Sequence, residues 1–331
     1  MKANPYQLLR RMAAIRSPRM RLFGAWLLSV TGRRYLGVFL DPILACNLRC
    51  RMCYFSDESR HKELHGRMDV ATLENVAKKL FPRALKLQIG CGAEPTLYKE
   101  LPQLVALGKN FGVPYISITT NGQLLTENLL QDLLAAGLDE VTLSLHGLTQ
   151  ATYEDLMSGA KFARFEEVTT MLAAAKKTHP ALVIRLNYTM NSRNIDELAL
   201  LPDLLQRLPV DVVQLRPVQK IGDSLWQDFS LVHIEKRYED LLQPLAEKLR
   251  AQNVTVLMPA RQDLRQLDAP PTPLAAALQD LTYCNVEPQN ATSVTLPRLP
   301  FSRLLKMLLG ICNRKGNSAR EVTKKLAYQI Q

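Results

Sequence analysis

The sequence has no apolar run long enough to cross a bilayer and no dense set of cysteines. An early apolar run, 22–30, is nine residues long, whereas a spanning helix needs about 20. The stretch before it is long for a signal peptide, and no A-x-A-like cleavage site follows. The six cysteines are unevenly spaced, with three in one loop, which argues against a disulfide scaffold. We therefore expect a globular protein of the reducing cytoplasm.

Acidic residues are absent from one end of the chain and nearly absent from the other. Residues 1–40 hold eight Lys and Arg and no acid, and residues 298–331 hold eight with the single acid Glu321. The net charge is +11, so the middle of the chain carries −4. Basic ends attract anionic lipid, nucleic acid or an acidic partner, or are ordinary solvated tails. Because no aromatic stacking platform is apparent, nucleic acid is not an expected partner.

Residues 1–35 are interpreted as a basic, amphipathic helical segment. Four apolar residues recur at helical spacing and predict one apolar face: Met20, Phe23, Leu27 and Val30. Three arginines lie close by, at positions 16, 19 and 21. The favoured interpretation is that this face packs on the body of the protein. The alternative is peripheral membrane contact through the N-terminus.

Residues 36–260 alternate between short apolar runs and helical patterns. The runs predict strands buried on both faces, at 36–40, 85–89, 115–119, 141–145, 182–187 and 212–215. Six successive strand–helix units predict an α/β fold, a partial (β/α)6 TIM-like barrel that stays open. A further helix at 233–252 and a strand at 254–258 extend the pattern. Functional residues are expected at the carboxyl ends of the strands.

A fourth cysteine is missing from the loop that follows the first predicted strand. Cys46, Cys50 and Cys53 have the spacing C-x3-C-x2-C. A closed four-iron cluster needs a fourth cysteine nearby, and a structural zinc site needs a fourth ligand. The next cysteine is Cys91, and no second C-x2-C pair follows. Three thiolates leave one iron of a four-iron cluster open to a substrate or cofactor, although zinc remains an alternative at this point.

Motif-like turns follow the next predicted strands. Strand two runs into Gly-Cys-Gly-Ala-Glu-Pro at 90–95, strand three into Thr-Thr-Asn-Gly at 119–122, and strand four into Ser-Leu-His-Gly at 144–147. Strand five carries Arg185 and Asn187, which are two residues apart and so share a face. Each motif alone is typical of an ordinary turn. Their joint occurrence, each at a strand's carboxyl end, indicates one site.

The three-cysteine loop and these turns resemble the radical S-adenosylmethionine (radical SAM) superfamily over roughly residues 36–217. The resemblance implies one [4Fe-4S] cluster and SAM as cofactors, with the cluster on Cys46, Cys50 and Cys53. On this resemblance we expect SAM to be contacted by Tyr54, Gly92, Ala93, Glu94, Asn121, Ser144 and Arg185. Ala93 stands where the family motif has a second glycine, and Met52 stands where the family usually has an aromatic residue. The sequence identifies neither a catalytic residue nor the substrate atom that is attacked.

Residues 261–331 are interpreted as a C-terminal extension with a basic helical end. Thr282, Tyr283 and Cys284 resemble the start of a SPASM extension, but only Cys284 and Cys312 remain of its cysteines, so a degenerate extension without a second cluster is expected. This likeness favours a peptide or protein substrate, with flavodoxin or ferredoxin as electron donor. The alternatives are a non-catalytic relative that binds a cluster or partner, and an enzyme of lipid or cofactor biosynthesis.

Overall fold

The computed structural model describes residue 15 and residues 17–32, 36–57, 64–220, 224–264 and 271–311. Eight strands form one sheet: Leu36–Leu40 (β1), Ala84–Ile89 (β2), Ile116–Thr120 (β3), Glu140–Leu145 (β4), Val183–Met190 (β5), Val212–Pro217 (β6), Thr255–Leu257 (β7) and Tyr283–Val286 (β8). All neighbouring strands are parallel, and their order is β7-β6-β5-β4-β3-β2-β1-β8. The sheet has two edges, β7 and β8, and this confirms the prediction of an open, partial TIM-like barrel.

Twelve α-helices occur in the described residues. They are Pro18–Val30 (α1), Val70–Leu80 (α2), Leu101–Asn110 (α3), Glu127–Ala135 (α4), Gln150–Leu156 (α5), Phe162–Thr178 (α6), Leu201–Arg207 (α7), Val232–Lys236 (α8), Gln243–Ala251 (α9), Arg261–Leu264 (α10), Pro273–Thr282 (α11) and Phe301–Leu308 (α12). Within the described ranges, none of these helices has the length and apolar character that crossing a membrane requires.

The helices between strands begin where the sequence offers a capping side chain. Asp69 accepts a hydrogen bond from the Thr72 amide at 2.7 Å, and Thr126 accepts one from the Leu129 amide at 3.2 Å. Each cap satisfies an amide that has no partner inside its helix. The main apolar core lies between the sheet and these helices, and the inward faces of α2 and α4 contribute to it. The sheet is therefore covered by packed helices, and its carboxyl edge is open for a site.

The sheet holds two strands more than the six predicted. β7 is the strand expected as an addition, and β8 comes from the segment interpreted as the start of an extension. Tyr283 and Cys284 pair with Gly37 and Val38, so this segment lies beside β1 in the sheet. Cys312 lies outside the described residues. Observed strand boundaries differ from the predicted ones by up to three residues, the largest difference being at the end of β5.

Helix α1 packs by a different face from the one predicted. Leu22 and Ala25 are buried against α11 and α12, and the Trp26 indole donates to the Leu299 carbonyl at 2.8 Å. The predicted stripe does share one face of the helix, but all four of its residues are exposed: Met20, Phe23, Leu27 and Val30. The three helices form a cluster separate from the main core, and they leave an apolar face on the surface.

Candidate active site

A cavity of about 240 Å³ opens at the carboxyl edge of the sheet. Its walls are the cysteine loop after β1, the turns after β2 and β3, and the inward side chains of β4, β5 and β6. All ten cofactor residues predicted from the sequence line it: Cys46, Cys50, Cys53, Tyr54, Gly92, Ala93, Glu94, Asn121, Ser144 and Arg185. Because the carboxyl ends of parallel strands share one edge, residues up to 139 positions apart meet here.

Backbone hydrogen bonds hold the cysteine loop in place without help from the thiols. The Arg49 amide donates to the Ser158 carbonyl at 2.9 Å, and the Arg51 amide donates to the Leu156 carbonyl at 3.0 Å. On the other side, the Trp226 amide donates to the Arg51 carbonyl at 3.0 Å. Met52 packs with Leu156, Val218 and Trp226 in a small apolar cluster. The loop is therefore shaped by its neighbours, α5 and the segment after β6.

The thiols sit in an environment that suits a metal cluster. Burial raises the pKa of Cys46 to about 12, and burial also raises the pKa of Cys50. Without metal these thiols stay protonated, so the binding of iron has to release their protons. The Leu48 backbone amide points at the Cys46 sulfur from 3.4 Å, and the Asn121 side-chain nitrogen Nδ2 lies 3.9 Å from it. Such N–H groups around the sulfur are typical of iron–sulfur sites, where they tune the potential.

A site for one metal ion is a different arrangement. In the part of the chain that the structure describes, no group of three or more His, Cys, Asp or Glu side chains could hold a metal ion. A four-iron cluster is larger than one ion, and each of its thiolates binds a separate iron. The lack of a single-ion site among the described residues therefore does not argue against a cluster on the three thiols. The three thiols that face one cavity fit the cluster by number and by donor type.

The turn after β2 depends on glycine and on a carboxylate that the sequence analysis missed. Gly90 has φ +81°, and a Cβ there would lie 2.5 Å from the Thr119 carbonyl oxygen. Asp41, the residue directly after β1, accepts hydrogen bonds from the amides of Cys91, Gly92 and Ala93, the shortest at 2.7 Å. Its position directly after a predicted strand, where functional residues are expected, could have identified Asp41 from the sequence. Asp41 therefore fixes the backbone that is expected to meet SAM.

Tyr54 reaches this turn from the cysteine loop. Its hydroxyl donates to the Gly92 carbonyl at 2.5 Å, and its ring stacks on Phe55 with centroids 4.9 Å apart. A carbonyl oxygen has two lone pairs, so the Gly92 carbonyl can still accept from a ligand. Tyr54 thus ties the cysteine loop to the glycine turn, besides lining the cavity.

The Glu94 carboxylate is already held by the protein. One oxygen, Oε1, accepts from the Thr96 amide at 3.2 Å and from the hydroxyls of Thr96 and Thr120, each at 2.6 Å. The other, Oε2, accepts from the Asn121 amide at 2.8 Å. Burial raises the pKa of Glu94, while these donors oppose the shift. A carboxylate has about four lone-pair directions, so Oε2 keeps one acceptor position for an ammonium group.

We expect Glu94→Gln to weaken both the fold and SAM binding. The amide nitrogen cannot accept, so at least one of the four donors loses its partner, which costs about 1–3 kcal/mol of unfolding free energy. SAM affinity should fall roughly tenfold or more through loss of a charge-assisted hydrogen bond. Anaerobic titration with SAM and denaturant unfolding measure the two effects. Glu100→Gln, a half-buried acid paired with Arg67 outside the cavity, is the control.

Unchanged SAM affinity in a folded, cluster-loaded Glu94→Gln protein would remove Glu94 from the SAM site. Its role would then be to join the turns after β2 and β3, as its hydrogen bonds already indicate.

Asn121 and Ser144 occupy neighbouring walls. The Asn121 side chain donates to Asn47 Oδ1 at 2.9 Å, and its own oxygen accepts from the Gln123 amide at 2.9 Å. Ser144 is half-buried and pairs in register with Asn187 of β5. Asn187 Oδ1 and His146 Nδ1 are buried and have no hydrogen-bond partner among the described residues. Unpaired polar atoms that line a cavity fit a polar ligand, because burial without a partner costs free energy.

Arg185 lies in the cavity wall with its charge already balanced. Its Nε lies 3.1 Å from Glu140 Oε1, and both side chains are almost fully buried. Burial and the charge of Arg216 lower the pKa of Arg185 to about 10, so it remains a cation at neutral pH. Burial, with a smaller effect from Arg216, lowers the pKa of His146 to about 4, so His146 is neutral.

The sequence analysis did not select Gln214 and Arg216, which also line the cavity. They are two residues apart on β6, so they share a face, and they pair in register with Asn187 and Thr189. The same spacing argument that selected Arg185 and Asn187 could have found them. The wall formed by β5 and β6 therefore combines two arginines with neutral hydrogen-bonding groups, an arrangement that can hold an anionic or strongly polar molecule.

Comparisons with known proteins agree with this geometry. Residues 41–201 match the family model described as the radical SAM superfamily. A probable GTP 3′,8-cyclase of Saccharolobus solfataricus is 30% identical over 179 residues, which are 54% of this chain and 55% of that protein. The chain thus matches about half the length of such curated relatives.

Solved structures share the fold at low sequence identity. The crystal structure of Streptococcus suis SuiB bound to S-adenosylmethionine has a TM-score of 0.59 and 15% identity, and the match covers 78% of this chain and 60% of that one. SuiB bound to its precursor peptide SuiA has a TM-score of 0.58 and 14% identity, over 82% of this chain and 64% of that one.

Proposed function

Because this chain belongs to the radical SAM superfamily, whose enzymes use a [4Fe-4S] cluster and SAM, we propose that it binds the cluster through Cys46, Cys50 and Cys53. The observation that carries the proposal is the meeting of these thiols with the turns after β2 and β3 at one cavity. When bound, the cluster and SAM supply a 5′-deoxyadenosyl radical that abstracts hydrogen from a substrate, using one electron from a donor such as flavodoxin or ferredoxin.

The chain's own residues bind and orient SAM. The backbone at Gly92 and Ala93, fixed by Asp41, meets the SAM amino group together with the remaining acceptor position of Glu94. Tyr54 lines the adenine side, as the sequence predicts. The ribose contacts are Asn121 and Ser144.

Two arginines are candidates for the SAM carboxylate. Arg185 is the one predicted from the sequence, but its ion pair with Glu140 already uses part of its donor capacity. Arg216 lies in the same wall and is the second candidate.

For the substrate, we keep peptide or protein modification as the favoured class. The support is that SuiB, which shares this fold, has been solved with a precursor peptide. The likeness of Thr282–Cys284 to an extension stays a prediction, and Tyr283 and Cys284 form part of β8. The alternative is a small anionic molecule in cofactor biosynthesis, which the GTP 3′,8-cyclase relatives and the two cavity arginines favour.

Anaerobic reconstitution tests the proposal. The protein should bind about four irons and four sulfides, because only three of the five described cysteines share a loop. With dithionite and SAM it should release 5′-deoxyadenosine. Cluster binding without SAM cleavage would identify a non-catalytic relative, and zinc alone would refute the proposal. Roughly eight irons would show that the segment after β7 still supports a second cluster.

A further inference from the structure

An apolar surface made by two helices lies at the end of the molecule formed by α1, α11 and α12. On α1, Met20 is 66% exposed and Val30 56%, with Phe23 and Leu27 between them. On α12 and just after it, Phe301 is 58% exposed and Leu309 60%. Leu305 and Ile311 complete this second stripe. We call these eight residues the exposed apolar face.

The two stripes form one surface. Phe301 contacts Trp26 with ring centroids 5.5 Å apart, and Phe23 stacks on Trp26 at 6.1 Å. At the other end, a Cβ on Gly310 would lie 3.5 Å from an Arg19 guanidinium nitrogen. The start of α12 therefore lies beside the middle of α1, and its end lies beside the start of α1. The helices run antiparallel, and their exposed stripes meet at Trp26.

The charges around this face have one sign. Arg19 lies beside the exposed stripe of α1 and Lys306 beside that of α12, Arg21 and Arg303 lie farther round their helices, and neither helix contains Asp or Glu. No salt bridge found among the described residues involves any of these four cations. An exposed apolar centre with basic flanks is the pattern of helices that lie in the plane of an anionic membrane surface.

We propose that the exposed apolar face docks this protein on an anionic lipid surface, with α1 and α12 lying in the interface. The apolar side chains enter the boundary between headgroups and acyl chains, and the basic residues meet lipid phosphates. A second copy of the chain is disfavoured because face-to-face contact would bring two basic rims together. The chain's own ends are disfavoured as covers because residues 1–14 hold three Lys and Arg without an acid, and residues 312–331 hold five with one acid.

Sedimentation with vesicles tests this proposal on the full-length protein. We expect binding to phosphatidylcholine vesicles that contain roughly 30% phosphatidylglycerol, and much weaker binding to phosphatidylcholine alone. Binding should weaken as salt rises from about 0.1 M to about 1 M, because the Debye length falls from about 10 Å to about 3 Å. Phe23→Gln, Leu27→Gln and Leu305→Gln together should weaken vesicle binding at least about tenfold.

A matched control removes exposed apolar side chains elsewhere. Val70→Gln with Leu200→Gln, at positions 59% and 42% exposed, should leave vesicle binding unchanged. Arg303→Glu with Lys306→Glu should weaken binding to the vesicles that contain phosphatidylglycerol and leave binding to phosphatidylcholine vesicles unchanged. SAM cleavage in solution should be the same in all these variants, because none of the positions lines the cavity.

Three outcomes would overturn the proposal. The first is vesicle binding that the triple variant leaves intact. The second is no binding to either vesicle in a folded protein. The third is a dimer in light scattering that the triple variant dissociates, which would assign the face to a second copy.

Discussion

Cys50→Ala is expected to abolish both iron–sulfur incorporation and SAM cleavage. Two thiols cannot retain a four-iron cluster with the stability of three, so iron should fall from about four per chain to near zero. The loop itself should persist, because Arg49 and Arg51 hold it through backbone hydrogen bonds to the residues after α5 and at its end. Iron and sulfide analysis, the cluster absorbance and 5′-deoxyadenosine release measure the loss.

Cysteines outside the loop provide the matched controls. Cys91 lines the same cavity but lies on the turn after β2, and Cys284 is buried in β8. Cys91→Ala and Cys284→Ala should each keep the cluster, and so should Cys312→Ala. If either described control empties the cluster while Cys50→Ala retains it, the assignment of the three ligands is wrong. Far-UV circular dichroism of the cluster-free proteins separates a lost ligand from a lost fold.

Glu140→Gln is expected to cost about 3–5 kcal/mol of unfolding free energy. Glu140 is fully buried at the start of β4, and its carboxylate meets Arg185 at 3.1 Å and Lys86 at 3.6 Å. The Tyr115 hydroxyl donates to it at 2.6 Å and the Thr142 hydroxyl at 2.9 Å. The neutral amide would leave the Arg185 charge buried without a counter-charge, and this accounts for most of the loss.

An exposed ion pair and a double-mutant cycle test that explanation. Glu74→Gln removes the solvent-exposed pair with Lys78 and should change stability by less than about 0.5 kcal/mol. Glu140→Gln combined with Arg185→Met should be less destabilising than Glu140→Gln alone, because the Arg185 charge is then no longer buried without its partner. Denaturant unfolding measures the wild type, Glu74→Gln, the two single variants Glu140→Gln and Arg185→Met, and the double variant. If the double variant loses the sum of the two single losses, the buried charge is not the cause.

Most of the strand pattern followed from local sequence. Strands β1 to β6 are short runs rich in Val, Ile and Leu, because parallel strands that pack under a layer of helices are buried and need apolar residues. β8 escaped detection since it has only four residues, alternately buried, and its partner β1 is about 245 positions away. Its place in the sheet is a long-range pairing that no local pattern encodes.

The sequence by itself determined which groups meet at the site. C-x3-C-x2-C and the turns at 90–95 and 119–122 follow successive strands, and parallel strands bring their carboxyl ends to one edge, so their convergence was predictable. The choice between Arg185 and Arg216 as the partner of the SAM carboxylate was not predictable, because only packing shows that Arg185 pairs with Glu140. The hydrogen bonds of Glu94 were likewise hidden, since two of its four donors come from the end of β3 and the turn after it, 26 and 27 residues away.

The tertiary structure alone decided which face of α1 is covered. Apolar residues occur on more than one side of this helix, and amphipathic spacing selected the side with Met20 and Leu27. The side with Leu22 and Ala25 is buried instead, because α11 and α12 arrive there from positions about 250 to 280 residues later in the chain. Burial depends on the partner that a helix meets, and a helix's own periodicity cannot say which partner that is.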